Sequence, residues 1–222
     1  AYPVLQFGTA DQQAAWRSKF CDEAYFPATA ALIEPRIQFD PNALKTTAIA
    51  VGDHYTLDGA KCFVPLAADA NALLVYANED GATQAFIVER GAAGLTIGAR
   101  EGNMGWRALP TYELVLSDCR VPKGNRVGGE VGINFKAMQN YSRVALAAMA
   151  VGVAKAAYEY ARDYAKERHA FGEPIATKQA IAFMLAEMAI EIDATRLMLW
   201  EAAWKLDKGL DATKECYLAK MT

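Results

Sequence analysis

Arg168 is followed at three and four positions by Phe171 and Gly172, and this segment lies between two stretches with helical periodicity. An arginine at this place suits two roles. Its guanidinium can meet the carboxyl-terminal dipole of the preceding helix while the aromatic ring packs on the loop. It can also bind a diphosphate, because its planar fork donates paired charge-assisted hydrogen bonds to phosphate oxygens. Taken alone, the segment favours helix capping over ligand binding.

Other patterns that carry chemistry are missing from the sequence. The cysteines are widely spaced and include no C-x-x-C pair: Cys21, Cys62, Cys119 and Cys216. The two histidines, His54 and His169, lie in different halves of the chain. We therefore expect no metal site and no disulfide, and we expect the thiols to be buried. No G-x-G-x-x-G, Walker A or G-x-S-x-G sequence is present.

Composition is that of a soluble globular protein. Apolar residues make up 53% of the 222 residues, and charged residues 22%. A formal net charge of −3 gives no electrostatic reason to expect nucleic acid or an anionic membrane as a partner. No apolar run approaches the roughly 20 residues of a membrane span, and the first residues carry no basic n-region of the kind that opens a signal peptide. We expect a cytoplasmic protein, or a mitochondrial matrix protein if the source is eukaryotic.

The first part of the chain predicts a short helix followed by many strands. Thr9 and Gln12 fit a capping box at the start of a helix of about ten residues. From about residue 28 to 126, turn residues interrupt strand-like segments. Asp58-Gly59 separates two of these segments, and Asp80-Gly81 predicts a two-residue hairpin. Several short strands without intervening helices predict an antiparallel β-barrel or sandwich.

The second part predicts long antiparallel helices. Apolar residues at helical spacing indicate one helix up to about Ala170, which Gly172 and Pro174 end. A second helix is predicted from about Lys178 to Lys208, and Asp211 is the expected N-cap of a third. These helices form an incomplete four-helix bundle whose apolar faces need partners. Other subunits or a longer chain can supply them, and we expect the longer chain.

An ordered set of segments extends over nearly the whole chain. It comprises Tyr2–Thr9, Glu34-Pro35, Asp40-Pro41, Lys45–Ala48, Gly59–Lys61, Ala85–Glu89, Met104–Ala108, Val121-Pro122, Arg168–Gly172 and Gln179–Ile181. In this order, the segments resemble the flavin-dependent acyl-CoA dehydrogenases.

The resemblance implies an α+β multidomain protein. Residues 1–27 are then the end of an N-terminal helical domain, 28–130 a β-barrel domain, and 131–222 the start of a C-terminal helical bundle. It also implies FAD as cofactor, α,β-desaturation of an acyl-CoA thioester, and electron transfer to an electron-transferring flavoprotein. A homo- or hetero-oligomer through the helical domain is expected, with no nucleic acid and no membrane span.

The resemblance assigns cofactor contacts to four segments. The family's Arg-x-x-Phe-Gly, which reaches the FAD diphosphate of a neighbouring subunit, is matched by Arg168, Phe171 and Gly172. The glutamine that opens the next helix is matched by Gln179, preceded by Lys178. The first flavin loop corresponds to residues 33–40, with Ile33 and Phe39 as expected contacts. The second corresponds to Phe63, Val64 and Pro65.

Both flavin loops depart from the family pattern. The first usually reads Thr-Glu-Pro-Gly-Ala-Gly-Ser-Asp, and here the threonine, both glycines and the serine are replaced. Arg36, Ile37 and Gln38 therefore place side chains where glycines allow a ligand close to the backbone. The second usually reads Trp-Ile-Thr, and Pro65 removes both a hydroxyl and an amide donor. Phe63 keeps an aromatic face.

The resemblance supplies substrate contacts but no catalytic residue. The family's Asp and Arg near the start of the first long helix correspond to Asn140 and Arg143, and Arg143 is equally well explained as an interhelical charge. A minority of the family carries its catalytic glutamate just before the helix arginine. Ser142 occupies that position here, and a serine cannot deprotonate an α-carbon unaided. Three other carboxylates are predicted to be loop and helix-surface charges: Glu34, Glu159 and Glu187.

Three functions remain open from the sequence. The chain is an acyl-CoA dehydrogenase subunit or fragment, a catalytically silent relative that supplies the diphosphate clamp in trans, or a cofactor-free scaffold.

Overall fold

The computed structural model describes residues 2–222, and contacts divide the chain into two compact units. The first unit ends at Phe135, and the second runs from Lys136 to Thr222. The three-part division into 1–27, 28–130 and 131–222 remains a prediction.

Two short helices open the first unit. Helix α1 spans Tyr2–Phe7, and α2 spans Ala10–Cys21. The predicted capping box at α2 is confirmed: the Thr9 amide donates to Gln12 Oε1 at 3.0 Å, and the Gln12 amide donates to Thr9 Oγ1 at 3.2 Å. The Gln12 side-chain amide also donates to the carbonyls of Gly124 and Arg126, both at 2.7 Å. This one buried glutamine therefore ties α2 to the segment that follows the last strand.

Seven strands form a single sheet in the order β1-β4-β2-β3-β7-β6, with β5 paired to β4. The strands are β1 Ala28–Ala31, β2 Thr47–Val51, β3 His54–Pro65, β4 Ala72–Glu79, β5 Ala82–Glu89, β6 Leu95–Arg100 and β7 Thr111–Pro122. The α+β class is confirmed, but the sheet is mixed, not purely antiparallel, because β4 pairs parallel to β1 and β2. The sequence prediction rested on hairpin turns, which fix the direction of consecutive strands only.

The two Asp-Gly dipeptides have different roles. Asp80 (φ 50°) and Gly81 (φ 86°) form the predicted two-residue hairpin between β4 and β5. Asp58-Gly59 instead lies within β3, at a shift in its register with β7. A Cβ at Gly59 would lie 2.7 Å from Thr46 Cα, so glycine at this position permits close approach of the preceding loop.

We expect Gly81→Ala to lower the free energy of unfolding by about 1–2 kcal/mol, because the left-handed φ at this position strains the backbone of alanine but not that of glycine. Nothing lies within 4 Å of the added Cβ, so conformational strain is the sole cost. Gly102→Ala is the matched control, since Gly102 also faces open space and lacks positive φ. Urea unfolding of both variants measures the difference, and equal stabilities would contradict the expectation.

The core of the sheet consists of alternate apolar residues from most of its strands. It includes Ala48, Leu57, Val64, Leu73, Val75, Phe86, Val88, Leu114, Leu116 and Val121. Three of the four cysteines are buried as predicted, whereas Cys21 is exposed at the end of α2. That prediction was wrong for Cys21 because the last turn of α2 faces solvent.

The second unit contains three helices and a small hairpin. Helix α3 spans Phe135–Glu167, α4 spans Gln179–Asp207 and α5 spans Thr213–Met221. Helix α3 ends before the predicted Ala170, because His169–Ala170 (β8) pairs with Glu173–Pro174 (β9). The N-cap of α5 is Ala212, not the predicted Asp211. Asp211 still accepts hydrogen bonds from the Thr213 amide at 3.1 Å and hydroxyl at 2.6 Å at the start of this helix.

The apolar faces of the long helices are only partly covered within this unit. Ala147 and Val151 of α3 pack with Leu199 of α4 and Ala219 of α5. Many large apolar side chains remain exposed, among them Leu146, Met149, Val153, Phe183, Leu197, Trp200 and Trp204. This pattern is that of the incomplete bundle predicted from the sequence. Among residues 2–222, α3 alone is long and apolar enough, by length and composition, to cross a membrane, which the sequence prediction did not anticipate.

Candidate functional site

A cavity of about 670 Å³ opens in the first unit between three chain segments. Ile33 follows β1, Phe63 and Pro65 end β3, and Trp106 and Leu109 belong to the loop between β6 and β7. The lining is almost entirely apolar, which suits a flat or elongated apolar group. Three of the residues predicted for the flavin loops thus come together around one space: Ile33, Phe63 and Pro65.

Two aromatic residues at this cavity have left-handed backbone conformations. Phe63 has φ 52° and Trp106 has φ 54°, and their side chains are 52% and 79% exposed. Phe63 lies at a register shift between β3 and β7. Bulky residues in this region are strained, and such strain clusters at functional sites. The geometry therefore presents both rings to the cavity at a cost in backbone energy.

The few polar groups at the cavity are already engaged. The Phe63 amide donates to both carboxylate oxygens of Glu101, at 3.1 and 3.2 Å. The Asn103 side-chain amide donates to Thr111 Oγ1 at 2.8 Å. Burial raises the pKa of the Cys62 thiol, which keeps it neutral. With Pro65 lacking an amide hydrogen, this rim offers few free donors to a ligand.

Two residues predicted for the flavin loops lie elsewhere. The Val64 side chain is 1% exposed and packs in the core of the sheet, as expected for the residue that alternates with Phe63 along a strand. Phe39 is half-buried, with the Arg36 guanidinium 5.9 Å from its ring centroid, and it does not line the cavity.

Directly behind the cavity lies a buried ion pair that the sequence did not reveal. Lys61 Nζ lies 3.1 Å from Glu34 Oε1, and the two residues are 0% and 4% exposed. The prediction that Glu34 is a surface charge was wrong, because the loop after β1 folds over its carboxylate. The Lys45 and Thr46 amides donate to Glu34 at 2.9 and 2.7 Å, and Arg36 Nε lies 3.3 Å away.

The ionisation of this pair is set by burial and by hydrogen bonds. Burial raises the pKa of Glu34, but the Lys45 and Thr46 amides and the Lys61 charge together lower it to about 2. Burial lowers the pKa of Lys61 to about 8, although the Glu34 carboxylate opposes this shift. Both groups are therefore charged at neutral pH. A lysine within a strand of mostly buried residues was the only signal of this ion pair in the sequence, and its partner lies 27 positions earlier.

The second group of predicted residues gathers at the β8–β9 hairpin of the helical unit. Phe171 (φ 58°) and Gly172 (φ 84°) form its two-residue turn, and the Phe171 side chain is 97% exposed. Within residues 2–222, the Arg168 guanidinium makes no hydrogen bond and no ion pair, while its carbonyl accepts from the Ile175 amide at 2.8 Å. The hairpin thus has an exposed ring at its turn and, just before its first strand, a cation without a partner among the described residues.

Lys178 and Gln179 lie beside this turn. Lys178 Nζ is 5.8 Å from the Phe171 ring centroid and forms an ion pair with Glu173, which lowers the pKa of that carboxyl. Gln179 is the exposed first residue of α4. Two cations close to an exposed aromatic ring at this hairpin can bind an anionic group such as a diphosphate.

Asn140 and Arg143 take part in contacts between α3 and α5. Arg143 donates to Asn140 Oδ1 at 3.0 Å and to the Tyr217 hydroxyl at 2.9 Å, and its guanidinium lies 3.9 Å from the Tyr217 ring centroid. Asn140 is 5% exposed and donates to Thr213 Oγ1 at 3.2 Å. These contacts favour the interhelical explanation of Arg143, and its substrate role remains a proposal.

We expect Tyr217→Ala to lower the free energy of unfolding of the helical unit by about 1–2 kcal/mol, through loss of the hydrogen bond and the ring contact to Arg143. Tyr160→Ala is the matched control, because Tyr160 is 77% exposed on α3. Thermal unfolding followed by circular dichroism compares the two. Equal melting temperatures would show that Arg143 is not held by α5.

Comparisons with known proteins agree over both units. The family model "Acyl-CoA dehydrogenase, middle domain" matches residues 29–119, and "Acyl-CoA dehydrogenase, C-terminal domain" matches residues 134–222. The rat short-chain specific acyl-CoA dehydrogenase of mitochondria is 38% identical, over 99% of this chain and 55% of that protein. The CarC subunit of the caffeyl-CoA reductase-Etf complex of Acetobacterium woodii is 39% identical, over 86% of this chain and 52% of that protein.

A solved structure shows the same fold. The butyryl-CoA dehydrogenase of Megasphaera elsdenii superposes with a TM-score of 0.84 at 33% identity, covering 98% of this chain and 59% of that one. The chain therefore spans a little over half the length of the relatives it matches.

Proposed function

The chain belongs to the acyl-CoA dehydrogenase family, and we propose that it forms part of an FAD-dependent enzyme that desaturates an acyl-CoA thioester between its α and β carbons. The β8–β9 hairpin carries this proposal. Phe171 is exposed, Arg168 has no side-chain partner among residues 2–222, and both stand at the positions where the family binds the FAD diphosphate. The cavity of the first unit supports it, because Ile33 of the first family flavin loop and Phe63 and Pro65 of the second meet there.

The two groups of residues fit different parts of FAD, and by the family pattern the Arg168 hairpin serves the FAD of a neighbouring subunit. The guanidinium of Arg168 suits the diphosphate, with Lys178 and Gln179 beside it. The cavity suits the flat isoalloxazine ring, since Phe63 and Trp106 can stack on it and Ile33 and Leu109 can pack around it. When bound, FAD supplies the acceptor for the β-hydride. The chain's own residues bind and orient it and keep water from the ring.

Removal of the α-proton is not assigned to this chain. The reaction needs a carboxylate base, and Ser142 stands at the alternative family position on α3. Glu159 and Glu187 are exposed helix residues, and Glu34 is committed to its ion pair.

A second candidate function has its own support. The Phe63 amide is bound to Glu101 and Pro65 has no amide, so the cavity rim offers little to the polar edge of isoalloxazine. In this alternative, the chain is a catalytically silent family member that supplies Arg168, Phe171, Lys178 and Gln179 in trans to a partner's FAD.

Partners and location follow from the family. An acyl-CoA is the substrate, and an electron-transferring flavoprotein is the electron acceptor, in keeping with the Etf complex to which the related CarC subunit belongs. The exposed apolar faces of α3 and α4 support a homo- or hetero-oligomer through the helical unit. The cytoplasm, or the mitochondrial matrix in a eukaryote, is the proposed location.

Flavin stoichiometry tests the proposal. The purified protein is saturated with FAD, freed of excess, and its flavin absorbance is compared with its concentration. One flavin per chain supports the dehydrogenase, and one flavin per two chains in a hetero-oligomer supports the silent subunit. A protein that retains no flavin would refute both.

A further inference from the structure

The Glu34–Lys61 ion pair joins two walls of the cavity that Phe63 and Trp106 line. Leu32 and Ile33 line one wall and immediately precede Glu34, while Cys62 and Phe63 line the other and immediately follow Lys61. Lys61 Nζ also donates to the Leu32 carbonyl at 3.2 Å, and the Cys62 amide donates to the Ile33 carbonyl at 2.9 Å. Side-chain and backbone bonds thus join the same two walls.

The carboxylate of Glu34 is held from further directions. Its oxygens accept from the Lys45 and Thr46 amides, and Arg36 approaches from the loop. Arg36 in turn donates to the Ala43 carbonyl at 2.6 Å. Charge-assisted bonds therefore tie the loop after β1 to β3.

A buried ion pair is a costly way to join two segments. Apolar residues of similar volume are often as stabilising or more so, because two charges must be taken out of water. What the pair adds is direction, since its hydrogen bonds are satisfied in one arrangement of the two walls only. Glu34 directly follows Ile33, and Lys61 lies two residues before the strained Phe63, so a shift of either charged residue would displace residues that line the cavity.

We propose that Glu34 and Lys61 are positioning residues that set the distance between the 32–33 and 62–63 walls and so the fit of the flavin ring. The identity of the ligand rests on the proposed function, and the positioning of the walls does not.

The double variant Glu34→Gln/Lys61→Met tests the inference, because it removes both charges and leaves neither one unpaired. Lys205→Met/Glu215→Gln removes a matched ion pair of 2.6 Å between α4 and α5, away from the cavity walls. Both are made in a Cys21→Ser background, so that the exposed thiol does not react. The readouts are the FAD dissociation constant and the rate of alkylation of Cys62, which is 7% exposed. Alkylation rates are measured over a range of pH, so that a change in the accessibility of the Cys62 thiol is distinguished from a change in its pKa.

The cavity variant is expected to bind FAD at least about tenfold more weakly, or 1.4 kcal/mol, and to expose Cys62 to faster alkylation. The control pair is expected to change neither quantity. A folded cavity variant with unchanged FAD affinity and unchanged alkylation would overturn the inference. If the unaltered protein binds no FAD, the proposed function fails, and the alkylation rates still decide the positioning of the walls.

If the cavity variant does not fold, hydrogen exchange in the unaltered protein decides the matter. Slow hydrogen exchange of the Cys62 amide would support the inference that the two walls are held together. Exchange at the rate of an open loop would overturn that inference.

Discussion

Glu34→Ala is expected to lower the free energy of unfolding of the first unit by about 3–5 kcal/mol, because it leaves the buried ammonium of Lys61 without its carboxylate. Lys61 is 0% exposed, so water cannot replace the lost partner. The Lys45 and Thr46 amides lose their acceptor as well. Chemical denaturation measures the change.

Glu159→Ala is the control for this loss. Glu159 pairs with Lys155 at 3.8 Å on the exposed face of α3, and such a pair contributes at most about 0.5 kcal/mol. A loss below about 1 kcal/mol for Glu34→Ala would contradict the buried pair, since even a single unsatisfied buried group costs that much.

The pH dependence of stability gives an independent check of the same pair. The folded pKa of Glu34 is about 2, below its ordinary 4.5, so its stabilisation is complete above pH 4.5 and is lost as pH falls toward 2. For Lys61 the folded pKa of about 8 lies below the ordinary 10.5. Between those values the unfolded chain holds a proton that the folded chain lacks, so this group makes stability rise with pH. In Glu34→Gln, the loss of stability between pH 4.5 and pH 2 that Glu34 causes should be absent.

Local patterns predicted the elements of this fold well. The capping box of Thr9 and Gln12 marks the start of α2 within four residues. The two residues Asp80 and Gly81 are enough to mark the hairpin between β4 and β5. The stepping of apolar residues located α4 to within one residue at each end. Each of these signals acts over a few residues, so the sequence pattern contains the whole interaction.

Features made by distant residues could not be read in this way. The parallel pairing of β1 with β4 joins residues more than 40 positions apart, and no turn specifies it. Glu34 meets Lys61 only after the sheet has formed, so its neighbours in sequence suggested a surface loop. Val64 was assigned to the flavin loop by its place in a motif, but the alternation of β3 turns its side chain into the core. Motif position located the cavity, and strand geometry decided which side chains reach it.

Arg168→Ala is expected to weaken FAD binding by about 100-fold, or 2.7 kcal/mol, through the loss of paired charge-assisted hydrogen bonds to the diphosphate. Stability should be unchanged within about 0.5 kcal/mol, because the Arg168 guanidinium has no partner within residues 2–222. This combination separates ligand binding from helix capping, the role that the segment alone favoured. A capping arginine would lose stability on substitution and leave FAD affinity intact.

Two further variants make the result specific. Arg168→Lys keeps the charge but not the planar fork, so it should bind FAD about tenfold more weakly than the unaltered protein. Arg162→Ala removes another cation near the end of α3, one that already pairs with Asp163 at 2.8 Å, and should leave FAD affinity unchanged. Isothermal titration with FAD measures all three affinities on the assembled protein. If Arg168→Ala binds FAD as tightly as Arg162→Ala, the hairpin is not a diphosphate site. The left-handed backbone and the exposed ring of Phe171 would then point to a different ligand at this hairpin.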